Sequence, residues 1–280
     1  MRPAFFGSVD GDPRRLVPAP HANGPWQPDT LHGRLLGGLL MREVEQGHAD
    51  DDFGCTRLTV DLFRSFPLAP IAVRSHRIRD GRRIRVVLAE IESAEPGPDG
   101  EPVVIAQATA VLLRRGEQPV QDFLPTRRWT APPASALPLV AAPGSALGSA
   151  PGSATWDSWR IPVEPDWGMN AQNGLWLREI HHLVDDELPS AAVRAGLAAD
   201  LVSSSTAGTP QGLSFINADF TIYFGRPPVG EIVGIEPTGH LSAQGRAAGQ
   251  AVFHDETGPF GFLGVTAVAN RLMPGRPAPH

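Results

Sequence analysis

The most unusual feature of this 280-residue sequence is what it lacks. All 24 basic residues are arginines, so lysine is absent, and there is one cysteine, Cys55. Without lysine the chain can have neither a P-loop phosphate-binding lysine nor a Schiff-base lysine. A single cysteine allows no internal disulfide and no thiolate metal cluster, and it suits a reducing compartment.

Several motifs that mark common enzyme classes are also missing. No Gly-x-Ser-x-Gly elbow occurs, which argues against an α/β-hydrolase, and no Gly-x-Gly-x-x-Gly dinucleotide fingerprint occurs. The pair His181-His182 does not have the spacing of a zinc motif. We therefore expect a protein that uses neither a metal ion nor an organic cofactor.

Long apolar runs and an excess of positive charge are absent as well. The formal net charge is −6, so no basic field points to nucleic acid. No stretch approaches the roughly 20 apolar residues of a membrane span, and residues 1–15 lack an apolar run of signal-peptide length. The sequence predicts a cytoplasmic protein with no membrane or nucleic-acid partner.

The most informative stretch is residues 189–233, which begins with a predicted helix. Ser190 is a suitable N-cap, and Val193, Leu197 and Leu201 form one apolar stripe. Asp200 lies seven residues after Val193, almost two helical turns, and therefore shares that stripe. A carboxylate on a core-facing stripe is costly unless it is hydrogen-bonded or functional, so Asp200 is a candidate site residue.

A predicted strand follows at Phe215–Phe224, and a proline-rich turn at 226–230 ends it. Ile216, Ala218, Phe220, Ile222 and Phe224 fall on one face of this strand, whereas Asn217, Asp219, Thr221 and Tyr223 fall on the other. Strict alternation separates Asn217 from the apolar face, so contact with Asp200 requires a bulge or a position at the strand end.

The first half of the chain has the same order of elements. A helix is predicted over Leu31–Gly47, with Gly37-Gly38 in its middle, where each glycine costs about 1 kcal/mol relative to alanine. We expect a closely wrapped sheet to approach the helix there. The predicted strands are Ala4–Val9, Arg57–Ser65, Ile71–Arg79, Arg83–Ser93 and Val103–Arg114, then Ser158–Val163, Leu175–Leu183, Ala247–His254 and Phe260–Asn270.

The two halves also repeat one another in sequence. Residues 60–68 superpose without a gap on residues 221–229, which indicates a duplicated domain. Between the halves, residues 130–153 are rich in Ala, Pro, Gly and Ser and predict a flexible linker. The predicted domains are 1–129 and 154–280.

These motifs, in this order, resemble the TesB-type acyl-CoA thioesterases. The resembling segments are 199–201 (Ala-Asp-Leu), 215–221 (Phe-Ile-Asn-Ala-Asp-Phe-Thr) and 224–231 (Phe-Gly-Arg-Pro-Pro-Val-Gly-Glu). The resemblance covers roughly residues 20–115 and 155–270. It implies an α+β fold of two tandem hotdog domains, each a curved antiparallel sheet wrapped around a central helix, and an internal pseudo-dimer of the two halves.

The resemblance also implies a catalytic site. The family is understood to hold one water with an Asp, a hydroxyl residue and a Gln; Asp200 matches the Asp, and Asn217 stands in place of the hydroxyl. The Gln falls near Val265 or Thr266, neither of which is Gln, so we take Thr266 as the candidate and predict weak activity. For Asp200 the alternative is a buried carboxylate that binds the turn at 203–208.

Residues at the start of the first helix resemble the family position where a backbone N–H faces the thioester carbonyl. Gly33 allows a close approach there, and His32 is either a helix cap or part of the oxyanion site. The implied substrate is an acyl-CoA, and the sheets of hotdog proteins suggest a homo-oligomer. A non-catalytic, acyl-binding double-hotdog protein is the alternative function.

Overall fold

The computed structural model describes residues 3–27, 29–140, 156–161, 174–185, 187–209 and 211–274. In these ranges the chain forms one large curved sheet and three α-helices. The strands before residue 130 are β1 (Ala4–Val9), β2 (Asp12–Pro18), β3 (Phe53–Leu62), β4 (Ile71–Asp80), β5 (Ile84–Pro96) and β6 (Pro102–Arg114). The later strands are β7 (Leu139–Val140), β8 (Trp156–Arg160), β9 (Leu175–Glu179), β10 (His182–Val184), β11 (Gly208–Thr209), β12 (Gly212–Phe224), β13 (Ile232–Ala243), β14 (Arg246–Asp255) and β15 (Gly258–Pro274). The helices are α1 (Gly33–His48), α2 (Ala191–Ala199) and α3 (Leu201–Ala207).

The two halves of the sheet join through antiparallel pairing of β3 with β12. In this pairing Val60 lies opposite Phe220, and Thr59 lies opposite Thr221. The sequence repeat makes Val60 equivalent to Thr221 and Thr59 equivalent to Phe220, so the two pairs exchange under the repeat. Such an exchange is what a two-fold axis through the β3–β12 contact requires. The duplication read from the sequence therefore has its axis at this seam.

Each half packs a helix against the concave side of the sheet. The apolar side chains of α1 are buried, namely Leu35, Leu36, Leu39, Leu40 and Val44. The predicted close approach at Gly37 is confirmed, but its main partner is the second helix. A Cβ added to Gly37 would lie 2.7 Å from the Gly196 carbonyl oxygen of α2 and 2.7 Å from the Phe220 ring. The α1–α2 crossing thus needs glycine on both helices.

The outer strands differ from the sequence predictions in two places. No strand was predicted over residues 12–18, yet they form β2, because a tight turn with positive φ at Asp10 and Gly11 folds them back on β1. The single predicted strand Leu175–Leu183 was wrong, since the chain turns between β9 and β10. β9 pairs with β13, whereas β10 lies parallel to β1 at the edge of the first half.

Trp129, the residue before the predicted linker, packs on the second half of the molecule, and the carbonyl of Pro132 inside the linker accepts a hydrogen bond from Trp176 Nε1. The Trp129 ring stacks against Trp176 at 5.1 Å and against His254 at 5.1 Å. It fills space that side chains at Gly174 and Gly234 would occupy. Residues 141–153 of the predicted linker and 162–163 of a predicted strand lie outside the described residues, and the domain boundaries stay a prediction. None of the helices in the described ranges is long and apolar enough to cross a membrane.

Candidate active site

Asp200 lies at the junction between α2 and α3, with its side chain only 9% exposed. The predicted helix start is confirmed, because the Ser190 hydroxyl accepts a hydrogen bond from the Val193 N–H at 3.1 Å. The predicted apolar stripe is also buried. Asp200 Oδ1 accepts a hydrogen bond from Asn217 Nδ2 at 2.6 Å. The structure therefore brings together the two side chains that the sequence analysis placed in one site.

A bulge in β12 makes this contact with Asn217 geometrically accessible. The register of β12 against β15 shifts between Asn217 and Asp219, so Ala218 is the extra residue. Side chains on either side of a bulge no longer follow one alternation, and Asn217 therefore turns toward Asp200. Phe220 and Ile222, beyond the bulge, keep the predicted buried face. The alternation predicted for this strand is therefore correct only for the residues after Ala218.

The carboxylate of Asp200 also rests on the N-terminus of α1. The backbone N–H of Arg34 acts on this carboxylate and lowers its pKa. A Cβ at Gly33 would lie 3.2 and 3.3 Å from the two Asp200 oxygens, so only glycine gives this approach without a shift. Free N–H groups at a helix start favour an anion. The helix start that was expected to face a substrate carbonyl thus also holds Asp200.

His32 caps α1 and lies between that helix start and Asp200. Its Nδ1 accepts a hydrogen bond from the Arg34 N–H at 3.3 Å and is 3.7 Å from Asp200 Oδ2. Burial, with a contribution from the Arg34 charge, lowers the pKa of His32 to about 3, so the ring is neutral near pH 7. Because Nδ1 accepts, Nε2 bears the proton, and it has no partner among the described residues. His32 therefore holds an unused buried donor.

A buried ion pair lies directly behind this group. The Arg34 guanidinium, 1% exposed, binds Glu179 of β9 at 2.6 and 3.2 Å and stacks over the Trp156 ring at 4.6 Å. A buried charge needs such a partner, and the bidentate geometry fixes the orientation of both groups. The pair links α1 of the first half to β9 of the second.

Two opposing effects set the ionisation of Asp200. Burial is the largest and raises the pKa of Asp200 above its ordinary value. The hydrogen bond from Asn217, the positive charge of Arg34 and the Arg34 backbone N–H all lower it. A carboxylate with a raised pKa is a stronger base than an exposed one, which suits a group that takes a proton from water.

Asp200, Asn217 and His32 all line a cavity of about 800 Å³. The first half of the chain contributes residues 24–27, 30–33, 36 and 62–66 to its walls, and the second half contributes 200, 216–218, 268 and 270–272. The walls mix aromatic and aliphatic side chains with a few polar groups, which is typical of a small-molecule site. The volume is sufficient for a ligand of coenzyme size.

The structure does not bring Thr266 to this cavity. Its backbone N–H and hydroxyl both donate to the Asp219 carboxylate, at 3.0 and 2.5 Å, on the outer face of the sheet. Val265 points the other way and is buried in the core. The amide side chain that β15 does present to the cavity belongs to Asn270. A shifted register between β12 and β15 explains why sequence alignment alone missed it.

Other residues of the site had no signal in the sequence. Arg34 and Glu179 are 145 positions apart and belong to different halves, so neither predicts the other. Arg64 and Arg271, which line the cavity, resemble ordinary solvated arginines after strands. The one available signal was Arg34 itself, which is a charged residue among the apolar residues of a predicted helix. That position indicates a buried cation, but the sequence does not identify its partner.

Two family models match the sequence. The acyl-CoA thioesterase N-terminal domain matches residues 22–113, and the acyl-CoA thioesterase C-terminal domain matches residues 130–262. The chain belongs to the acyl-CoA thioesterase family. The resemblance to TesB-type members is thereby confirmed, with one family domain in each half. None of the curated proteins matches the sequence significantly.

Solved structures agree with this family assignment at the level of the fold. The tesB protein of Mycobacterium avium subsp. paratuberculosis aligns with a TM-score of 0.63 at 13% identity, covering 94% of this chain and 96% of that one. Acyl-CoA thioesterase II TesB2 of Mycobacterium marinum gives 0.58 at 18%, covering 90% and 97%. A hotdog-fold protein of unknown function from Alicyclobacillus acidocaldarius gives 0.64 at 15%, covering 94% and 95%. The predicted tandem hotdog fold is confirmed.

Proposed function

We propose that this protein hydrolyses an acyl-CoA thioester to the free acid and coenzyme A, with Asp200 as the general base. The observation that carries the proposal is the buried Asp200–Asn217 pair at the N-terminus of α1, facing a cavity of about 800 Å³. Membership of the acyl-CoA thioesterase family supports the substrate class. We place the reaction in the cytoplasm, in accord with the free thiol of Cys55.

The proposed chemistry uses one water molecule. The Asn217 amide donates to Asp200, which leaves its carbonyl oxygen to accept one hydrogen of the water, while Asp200 accepts the other. Asp200 takes a proton as the water oxygen attacks the thioester carbonyl. The His32 Nε2–H stabilises the resulting oxyanion as a neutral donor. The C–S bond then breaks, and Asp200 returns the proton to the departing thiolate.

The third polar group of the site is Asn270 in this proposal, and Thr266 has no part in it. Asn270 lines the cavity, whereas Thr266 binds Asp219 and does not line it. The shorter amide of asparagine reaches less far than glutamine, so weak turnover on ordinary fatty acyl-CoA stays our prediction. Losing one positioned hydrogen bond to the transition state corresponds to about 3 kcal/mol, roughly a hundredfold in rate.

The test is turnover of a panel of acyl-CoA esters, detected by the thiol released. We expect measurable hydrolysis by the purified protein and its loss in Asp200→Asn. Binding of acyl-CoA with no turnover, by a protein that is folded and pure, would instead favour the non-catalytic acyl-binding function. Turnover that survives Asp200→Asn would show that another residue is the base.

A further inference from the structure

Two arginine side chains line the cavity without a partner. The guanidinium groups of Arg64 and Arg271 make no ion pair or hydrogen bond with any residue in the described part of the chain. Elsewhere in the described structure Arg34, Arg42 and Arg226 each bind a carboxylate. The cavity therefore contains two guanidinium groups that no described carboxylate neutralises.

Strand geometry places these two arginines on either side of β12. Arg64 lies two residues beyond the end of β3, which pairs with one edge of β12, and Arg271 belongs to β15, which pairs with the other edge. Strands two positions apart in a sheet are separated by about 10 Å. Both side chains are long and belong to exposed residues, so they can meet around one anionic group at the mouth of the cavity.

The charge of the cavity favours an anion at this position. Among the described residues of its lining Asp200 is the only acidic one, and that carboxylate is already bound by Asn217 and by the start of α1. Arg64 and Arg271 therefore give this opening a positive charge, although the net charge of the chain is −6. Guanidinium groups bind phosphate and carboxylate oxygens in pairs, which gives both affinity and orientation.

We propose that Arg64 and Arg271 form an anion-binding site at the mouth of the cavity, one arginine from each half of the chain. The anion is a phosphate of the coenzyme or a carboxylate at the end of the acyl chain. This inference rests on the proposed function for the identity of the substrate. It assigns the two arginines to ground-state binding, so their loss raises KM and leaves kcat nearly unchanged.

The first experiment measures binding of coenzyme A alone by titration calorimetry. The variants are Arg64→Gln, Arg271→Gln and the double variant, with Arg82→Gln as a control of equal charge change on an exposed turn that does not line the cavity. If the anion is a phosphate, each single variant weakens the affinity about tenfold and the control does not. The affinity of the wild type then falls with added salt. Thermal unfolding of each variant verifies that it is folded.

The second experiment separates the two sources of the anion. Acyl esters of N-acetylcysteamine carry no phosphate, and they can be made with or without a carboxylate at the far end of the acyl chain. If the arginines bind phosphate, KM for both of these esters is the same in all variants. If they bind an acyl carboxylate, KM rises about tenfold in the variants for the carboxylated ester only, and coenzyme A affinity is unchanged.

The two proposals fail in different ways. Hydrolysis of acyl-CoA with normal KM in the double variant, for neutral and carboxylated esters alike, would overturn the anion site and leave the thioesterase proposal standing. Binding of coenzyme A that depends on both arginines, with no hydrolysis of any ester, would support the anion site and overturn the thioesterase proposal.

Discussion

At each end of the crossing between α1 and α2 a carboxylate lies beside a helix N-terminus, but only one of these carboxylates lines the cavity. At one end Asp200, which follows α2, meets the first turn of α1 at Gly33. At the other end Glu45, in the last turn of α1, accepts a hydrogen bond from Ser190, the N-cap of α2. In both cases a carboxylate on one helix meets the N-terminus of the other.

The surroundings of the two carboxylates explain why Asp200 belongs to a candidate site whereas Glu45 makes a structural contact. The Asp200 end opens into the cavity, and the helix there begins with glycine. At the Glu45 end the helix begins with alanine, and Glu187 closes the space by binding Arg42 and Gln46. A helix N-terminus and a carboxylate are therefore not enough to make a site. Access and an unused donor distinguish the first end from the second.

The largest effect that we predict comes from removing the two carboxylates in turn. Asp200→Asn should lower kcat about a thousandfold, because the general base is lost. Glu45→Gln is the matched control, and it should leave kcat within a factor of two while reducing stability by about 1 kcal/mol. Steady-state kinetics and denaturant unfolding measure the two effects. Equal losses of activity would mean that both ends contribute to catalysis.

Asp200→Asn should also make the protein more stable near pH 7. Burial raises the pKa of Asp200, so the folded state binds its proton more tightly than the unfolded state does. The ionised carboxylate therefore opposes folding above its folded pKa, and this opposition disappears as the pH falls below the unfolded value. We expect a higher Tm for the variant at pH 7 and a smaller difference near pH 3. A lower Tm at pH 7 would show that the hydrogen bonds of Asp200 outweigh its burial.

The second largest effect should come from the crossing that positions both ends. Gly37→Ala puts a Cβ 2.7 Å from the Gly196 carbonyl oxygen, so the helices must separate, at a cost of about 2 kcal/mol. Gly47→Ala in the same helix meets nothing closer than 3.8 Å and should stabilise the protein by up to about 1 kcal/mol. Denaturant unfolding of the two variants gives the comparison. If the two variants change the free energy of unfolding in the same direction, the close contact at Gly37 is contradicted.

A smaller effect is expected from making the two helix starts alike. Gly33→Ala copies the alanine of the other end and places a Cβ 3.2 to 3.5 Å from the Asp200 carboxylate. The carboxylate must shift by a few tenths of an ångström, which we expect to lower kcat about tenfold. Circular dichroism should show an unchanged fold. Full activity would mean that the position of Asp200 is less constrained than the geometry indicates.

The smallest expected effect is a change in pH dependence when the buried ion pair is removed. The double variant Arg34→Met/Glu179→Met replaces both partners with apolar groups, so no unpaired charge remains buried. The Arg34 charge lowers the pKa of Asp200, and its loss should move the acid limb of kcat/KM to higher pH. An unmoved limb, in a folded double variant, would show that the guanidinium does not act on Asp200.

The sequence was sufficient for elements that depend on local pattern. The periodicity of α1, the Ser190 cap and the apolar stripe of α2 all follow from residues within one or two turns of each other. The duplication was readable because residues 60–68 and 221–229 begin on β3 and β12, the two strands that pair across the two-fold axis, and continue into the turns that follow them. Asp200 was identifiable because a carboxylate on an apolar stripe is costly wherever it is placed.

The tertiary structure alone decided what surrounds Asp200. A one-residue bulge at Ala218 turns Asn217 into the site, and no local propensity specifies a bulge at that position. Thr266 binds Asp219 on the outer face, whereas Asn270 lines the cavity four residues further along β15, where the pairing with β12 becomes irregular. The Arg34–Glu179 pair joins residues 145 positions apart. Pairing, register and long-range contacts arise from the packing of the two halves against each other, which the order of residues along the chain does not reveal.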